Sequence, residues 1–229
     1  MFTHTNKQYH WPKVSRKNIN GKRHYVDESG NIYNSVTRVV NDGKDFTDWY
    51  QRLATQYKVS LEAAEAIGNY VKIQSGNIGT KLHSLCEDYL NNKPIDKSNI
   101  FVEAHFENIK DRLDDFIKNI HGIEIQMFSK SLGLAGTVDC VAEWGGVLSV
   151  IDFKTTKKSK DESWIESYFL QATAYSLMWE ENTGEKIDQI VIVFTGEDGS
   201  QDTIIKDKAQ YVDRLHEVID TFNKQNNIV

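Results

Sequence analysis

The sequence predicts an α/β (α+β) chain in which a helical N-terminal half precedes a mixed β-sheet built from an antiparallel meander and a crossover helix. Three observations predict it. Between about 44 and 120, apolar residues recur at helical spacing. Three β-rich stretches then follow in quick succession, two of them separated only by Gly145-Gly146, a strong two-residue hairpin signal. Last, a helical stretch separates the third of these from "DQIVIVFTG" (188–196). A helix joining two strands of one sheet implies parallel pairing through a right-handed crossover.

Each element follows in chain order. The first 26 residues carry Lys7, Lys13, Arg16, Lys17, Lys22 and Arg23 and no acid, interleaved with Phe2, Tyr9, Trp11 and Tyr25. They read as a basic arm able to touch a phosphate backbone and stack on bases, or as a solubilising tail. Residues 27–229 read as a single domain. "HYVDESGNIYNSVTRVV" (24–40) reads as a hairpin turning at Glu28-Ser29-Gly30. Helices are expected over about 44–57, 61–74, 77–91 and 101–120, so the helical part covers about 40–121. Strands at about 123–130, 134–143 and 147–154, a helix at 164–181, and strands at 188–196 and 201–206 make a sheet core of about 122–206. A helix near 208–225 closes the chain.

Composition narrows the function classes. At 229 residues with 39% hydrophobic content, the chain supports one substantial core. No apolar run approaches the roughly 20 residues of a membrane span, and no signal-peptide core is present. Cys86 and Cys140 sit at apolar positions and are too few for a disulfide framework, so reduced cysteines in a cytoplasmic protein with no membrane partner are expected. The net charge of −6 argues against generic nucleic-acid binding, but the basic start leaves all 33 acidic residues in the remainder.

The chemistry centres on "GTVDCVAEWGGVLSVIDFKT" (136–155). With Gly145-Gly146 as the loop, Trp144 faces Val147, Asp139 faces Asp152 and Thr137 faces Lys154. Opposed residues share a face, so two carboxylates and an ammonium converge. Opposed carboxylates repel unless a cation or proton lies between them. A structural ion-pair cluster with Lys154 is one reading. The other is a divalent metal bridged by both acids, with magnesium or manganese suiting oxygen ligands. Lys154 would then orient a water or stabilise charge on a phosphate. His83 and Glu87 are four apart on one helix face, as are Gln171 and Tyr175. The first pair offers a third metal ligand, and the second an amide and a phenol for a substrate.

Gly-Thr-(x)2-His (79–83), Gly-Thr-Val-Asp (136–139), Asp-Phe-Lys-Thr (152–155) and Gln-(x)3-Tyr (171–175), in this order, resemble the motifs of the PD-(D/E)XK nucleases. The likeness is to the RecB/Cas4-like branch, and within it to single-strand exonucleases of the phage and mitochondrial genome maintenance type. "YNSVTRVV" (33–40) is similar to a segment upstream of the core in those members. The resemblance implies a restriction-endonuclease-like core and a metal-dependent DNA exonuclease of replication, recombination or repair. It implies metal held by His83, Asp139, Asp152 and the Phe153 carbonyl, catalysis by Asp139, Asp152 and Lys154, and DNA contacts from Gln171, Tyr175, Thr155 and Lys157. Glu124 and Glu87 are expected as supporting acids. Val138 stands where the family name has proline. Members with an iron–sulfur cluster use four cysteines, so the cluster-free type is implied. Trp164, Tyr168 and Phe169 are candidates for base stacking. A structure-specific endonuclease or resolvase with the same site, and a non-catalytic nucleic-acid-binding module, are the alternatives.

Overall fold

The computed structural model describes residues 1–156 and 165–227. The second half of the segment expected as a basic arm, from Val14 on, is built into the sheet. Strands β1 (Val14–Ile19) and β2 (Lys22–Asp27) form an antiparallel hairpin, and β2 pairs with β3 (Ile32–Ser35). Charges on β1 suit an edge strand, where they discourage further pairing, while Tyr25 on β2 is buried. Ahead of β1, the rings of Tyr9 and Trp11 lie 5.0 and 4.9 Å from Trp179, so aromatic packing anchors the N-terminus.

After β3 come α1 (Val36–Val39), α2 (Thr47–Tyr57), α3 (Leu61–Leu90) and α4 (Ile100–Phe116). The expected helices at 61–74 and 77–91 are one. Ser60 caps α3 through the Ala63 N–H, and Gly76 is accommodated inside it at a modest propensity cost. The N-terminal half of α3 packs on α2, where the Gly68 Cα lies so close to Tyr50 that an added Cβ would sit 2.6 Å from its ring. The C-terminal half buries Leu82, Leu85, Cys86 and Leu90 against the sheet.

The sheet continues with β4 (Ile117–Ser129), β5 (Leu134–Trp144) and β6 (Val147–Thr156), then α5 (Glu166–Thr183), β7 (Gln189–Gly196), β8 (Gln201–Asp207) and α6 (Val212–Gln225). The expected hairpin register holds: Trp144 pairs with Val147 and Cys140 with Ile151. Gly145 and Gly146 adopt φ of 60° and 87°, the left-handed pair a two-residue turn requires. Strands β6 and β7 run parallel, joined through α5 as expected. The strand order is β1-β2-β3-β5-β6-β7-β8, with β4 alongside β5. One core joins Val150, Ile190 and Ile192 to α5 and α6, and the other joins Ile151, Val191 and Val193 to α3 and α4. Helices thus cover both faces of a mixed sheet, and alternate strand residues feed the two cores.

Candidate active site

The site forms where the sheet forks. Strand β5 pairs with β4 along one edge, from Leu134 to Trp144. Its other edge is shared: β6 pairs with Cys140–Trp144, and β3 pairs in parallel with Leu134 and Ala135. Between those ladders, Gly136 to Asp139 have no partner on that edge among the described residues. Asp139 therefore sits just past the last β5–β6 pair, and the expected direct pairing with Asp152 is replaced by an open notch. There the Asp139 Oδ2 accepts a 3.0 Å hydrogen bond from the Phe153 N–H.

A change of facing sharpens the notch. On β4 and β5, the paired Ile123 and Cys140 pack into the core under α3 and α4. The next pair, Ile125 and Val138, packs into the opposite core. Ordinary alternation would send both pairs to one side. The switch falls at Glu124, which lies between these two pairs on β4 as Asp139 does on β5, and has φ of 52°. Left-handed backbone on a non-glycine residue costs on the order of 1–3 kcal/mol and concentrates at functional sites. The consequence here is specific: Asp139 and Glu124 meet His83 of α3, with Asp152 to one side.

Donor atoms of His83, Glu124 and Asp139 lie within 4.8 Å of one another, a grouping able to hold a metal ion. The His83 Nδ1 is 3.3 Å from the Asp139 Oδ1, and its Nε2 is 2.8 Å from the Phe153 carbonyl. Phe153 thus engages His83 through its oxygen and Asp139 through its N–H, fixing both side chains from behind, as the outer shell of a metal site does. With Nε2–H donating to that carbonyl, Nδ1 is the nitrogen turned toward the acids. Glu124, expected as a supporting acid, belongs to the central cluster. Asp152 lies outside it and is buried at 1% exposure. The Lys154 Nζ is 2.8 Å from the Asp152 Oδ1 and 2.7 Å from Oδ2, but the latter approach is not directed as a hydrogen bond.

Burial dominates the electrostatics. Desolvation, followed by the nearby Asp139 charge, pushes Glu124 up to about 7. Burial also raises Asp152, against the opposing pull of Lys154. Burial alone would raise Asp139 too, but His83, Lys154 and the Phe153 N–H together hold it below the usual carboxylate range. His83 is raised to about 9 because Asp139 outweighs the loss of solvent. This crowd of acids around one imidazole has the charge that a divalent cation compensates.

The cluster opens into a cleft of about 500 Å3 whose walls include Glu87, Gln171, Tyr175, Tyr168, Arg16 and Arg23. The Gln171 Nε2 donates to the Tyr175 hydroxyl at 3.2 Å. Tyr175 lies against Gly136, where an added Cβ would sit 2.7 Å from its ring. The glycine of the Gly-Thr-Val-Asp motif is thus explained by close approach. Tyr168 presents its ring 5.3 Å from the Lys154 ammonium at the cleft wall. Phe169, in contrast, is 1% exposed and stacks on Tyr211, so it is core and unavailable to a base. Thr155 faces Gly79 of α3, with its hydroxyl 3.6 Å from where a Cβ there would lie. Lys157 and Trp164 fall outside the described residues. Cys86 and Cys140 are buried and free, and burial raises both thiols. Among the described residues no helix is long and apolar enough to cross a membrane.

His83, Asp139, Asp152 and Lys154, singled out in the sequence, come together here, and Glu124, expected as a supporting acid, joins the donor cluster. The signal for Glu124 was the turn before β5: closing the ladder at Ser129 and Leu134 sets Glu124 between the same two pairs as Asp139. The expected strand ends were one residue away from that register.

The mitochondrial genome maintenance exonuclease 1 of Homo sapiens is 28% identical over 181 residues, covering 74% of this chain and 51% of the human protein. The chain thus spans about half the length of the curated relative it matches. A crystal structure of an assigned exonuclease of Eubacterium rectale aligns with a TM-score of 0.45 and 14% identity, over 66% of this chain and 69% of that one. The family model of the PD-(D/E)XK nuclease superfamily matches residues 37–227, which include every acid and base of the notch, and the chain belongs to that superfamily.

Proposed function

We propose that the chain is a divalent-metal-dependent deoxyribonuclease that hydrolyses phosphodiester bonds from the ends of single-stranded DNA. Its setting would be replication, recombination or repair, in the cytoplasm of a bacterial or phage-infected cell. The observation that carries the reading is the His83–Glu124–Asp139 cluster beside the Asp152–Lys154 pair, in a chain of a nuclease superfamily. The exonuclease mode is supported by the name of the human relative. The single-strand preference rests on the motif resemblance.

Superfamily members use divalent metals, and this donor set fits one. Two carboxylates and an imidazole converge, and Asp152 keeps a buried oxygen without a directed hydrogen bond. His83, Glu124 and Asp139 would hold the ion, with Asp152 reaching in from its pair with Lys154. An imidazole among carboxylates favours manganese over magnesium. When bound, such an ion neutralises charge on the scissile phosphate and lowers the pKa of a coordinated water.

The protein groups supply the rest. Lys154, held by Asp152 and flanked by the Tyr168 ring, presents a fixed cation to the attacking water and to charge developing on the phosphate. Phe153 keeps His83 and Asp139 oriented. Gln171 and Tyr175 offer hydrogen-bonding groups on the cleft wall beside the reacting centre. Digestion of labelled single-stranded DNA in manganese, magnesium or EDTA tests this reading. The wild-type chain should cut with metal and not in EDTA, and Glu124→Gln and Lys154→Met should both be impaired. Full activity in either variant would remove that residue from the mechanism.

A further inference from the structure

We propose that Arg16 and Arg23, from the β1–β2 hairpin, form a phosphate clamp that grips the nucleic-acid strand beside the bond being cut. The proposal rests on reading the cleft as a nuclease site. Its starting point is register: Arg16 pairs with Tyr25, and Asn18 with Arg23. Opposed residues share a face, so both arginines stand on the side of Tyr25. Lys17 pairs with His24 and Lys22 with Ile19, which turns both lysines to the other side. Of these four hairpin cations, only Arg16 and Arg23 line the catalytic cleft, together with Tyr25.

Topology explains how they reach it. β2 pairs with β3, and β3 occupies the β5 edge just before the notch. The hairpin is therefore carried to the side of the fork that holds Asp139. The same cleft is lined by Glu87, Glu124 and Asp139, beside His83 and Lys154. Neither arginine has an ion-pair partner among the described residues, so two guanidinium groups face the opening without a protein anion. A guanidinium fork matches phosphate oxygens and is weakly hydrated. Arg16 and Arg23 are diagonal neighbours, about 7–8 Å apart at the backbone. Long side chains at that spacing can close on one phosphate or spread over two adjacent ones.

The test compares Arg16→Gln/Arg23→Gln with Lys17→Gln/Lys22→Gln, which removes the same charge from the same hairpin on the opposite face. Binding of a fluorescent single-stranded oligonucleotide is measured in EDTA, so cleavage does not interfere, over a range of salt. Each phosphate contact contributes about 0.7 to the slope of log affinity against log salt on a single strand. The arginine variant should lose about 1.4 in slope and bind more weakly, and the lysine variant should keep the wild-type slope. Equal weakening in both variants would show a diffuse field and overturn the clamp. An unchanged slope in the arginine variant, with wild-type protein that binds and cleaves, would overturn it while leaving the nuclease reading intact. Wild-type protein that neither binds nor cleaves would remove both.

Discussion

Replacing Glu124 separates strain from function at the centre of the site. Its φ of 52° costs a residue with a Cβ roughly 1–2 kcal/mol, a cost glycine escapes. Glycine loses about 0.5–1 kcal/mol in chain entropy, so the net advantage of glycine over alanine at this position is roughly 1 kcal/mol. Both substitutions delete the carboxylate, and only glycine also relieves the backbone. In metal-free thermal unfolding, Glu124→Gly should therefore melt about 2–4 °C above Glu124→Ala, given the usual sensitivity for a chain of this size. Manganese provides the second measurement. At a hundredfold excess over its dissociation constant, a ligand specific to the folded state stabilises by about 2.7 kcal/mol. That is roughly 5–11 °C for the wild-type protein, and both variants should lose most of it. An alanine variant as stable as the glycine variant would refute the strain argument. A glycine variant with the full manganese shift would refute the role of Glu124 in holding the ion.

Other outcomes follow from the same geometry. Lys154→Met should lower the cleavage rate by about 10²–10³-fold while strand binding in EDTA is retained; lost binding would make Lys154 a substrate anchor. Gly136→Ala places a Cβ 2.7 Å from the Tyr175 ring and should cost about 1–3 kcal/mol of stability. The same change in a Tyr175→Ala background should cost far less, and additive effects in that double-mutant cycle would exclude the contact. Burial depresses the pKa of His105, whose Nδ1 meets the Thr195 hydroxyl at 3.1 Å, while Glu197 pulls the other way. The unfolded chain then takes up a proton near pH 6.5 that the folded chain resists, so stability falls as pH drops below that value. Urea titrations across that range should show His105→Asn flattening the dependence by up to about 1.4 kcal/mol per pH unit, and an unchanged slope would place the proton elsewhere.

How much of this was legible varies with the physical origin of each feature. The β5–β6 hairpin was readable because two glycines demand a particular turn, and the turn fixes the register. The β6–α5–β7 crossover was readable because chain order and handedness leave few choices. The hairpin at the N-terminus was hidden, because β1 is an edge strand whose charges look like a tail while its partner Tyr25 is buried. The continuity of α3 was missed because Gly76 reads as a break, although helix packing on either side carries the chain through it. The facing switch at Glu124 was least accessible. Period-two alternation is the rule used to assign strand faces, and the candidate site is built where a positive φ breaks it. Asp139 was expected on one face with Asp152, and the structure also brings it to His83 of α3.

Cleavage of DNA from an end, with a divalent metal bound in the notch, is the proposed activity. Its most direct test is digestion of end-labelled linear single-stranded DNA beside a circular control, with manganese or EDTA, by wild-type protein and Asp152→Asn. Loss of the linear strand alone, only with manganese and only in the wild-type protein, is the expected result. Cutting of the circle would convert the account to an endonuclease at the same site, and no cleavage with any divalent metal would contradict it.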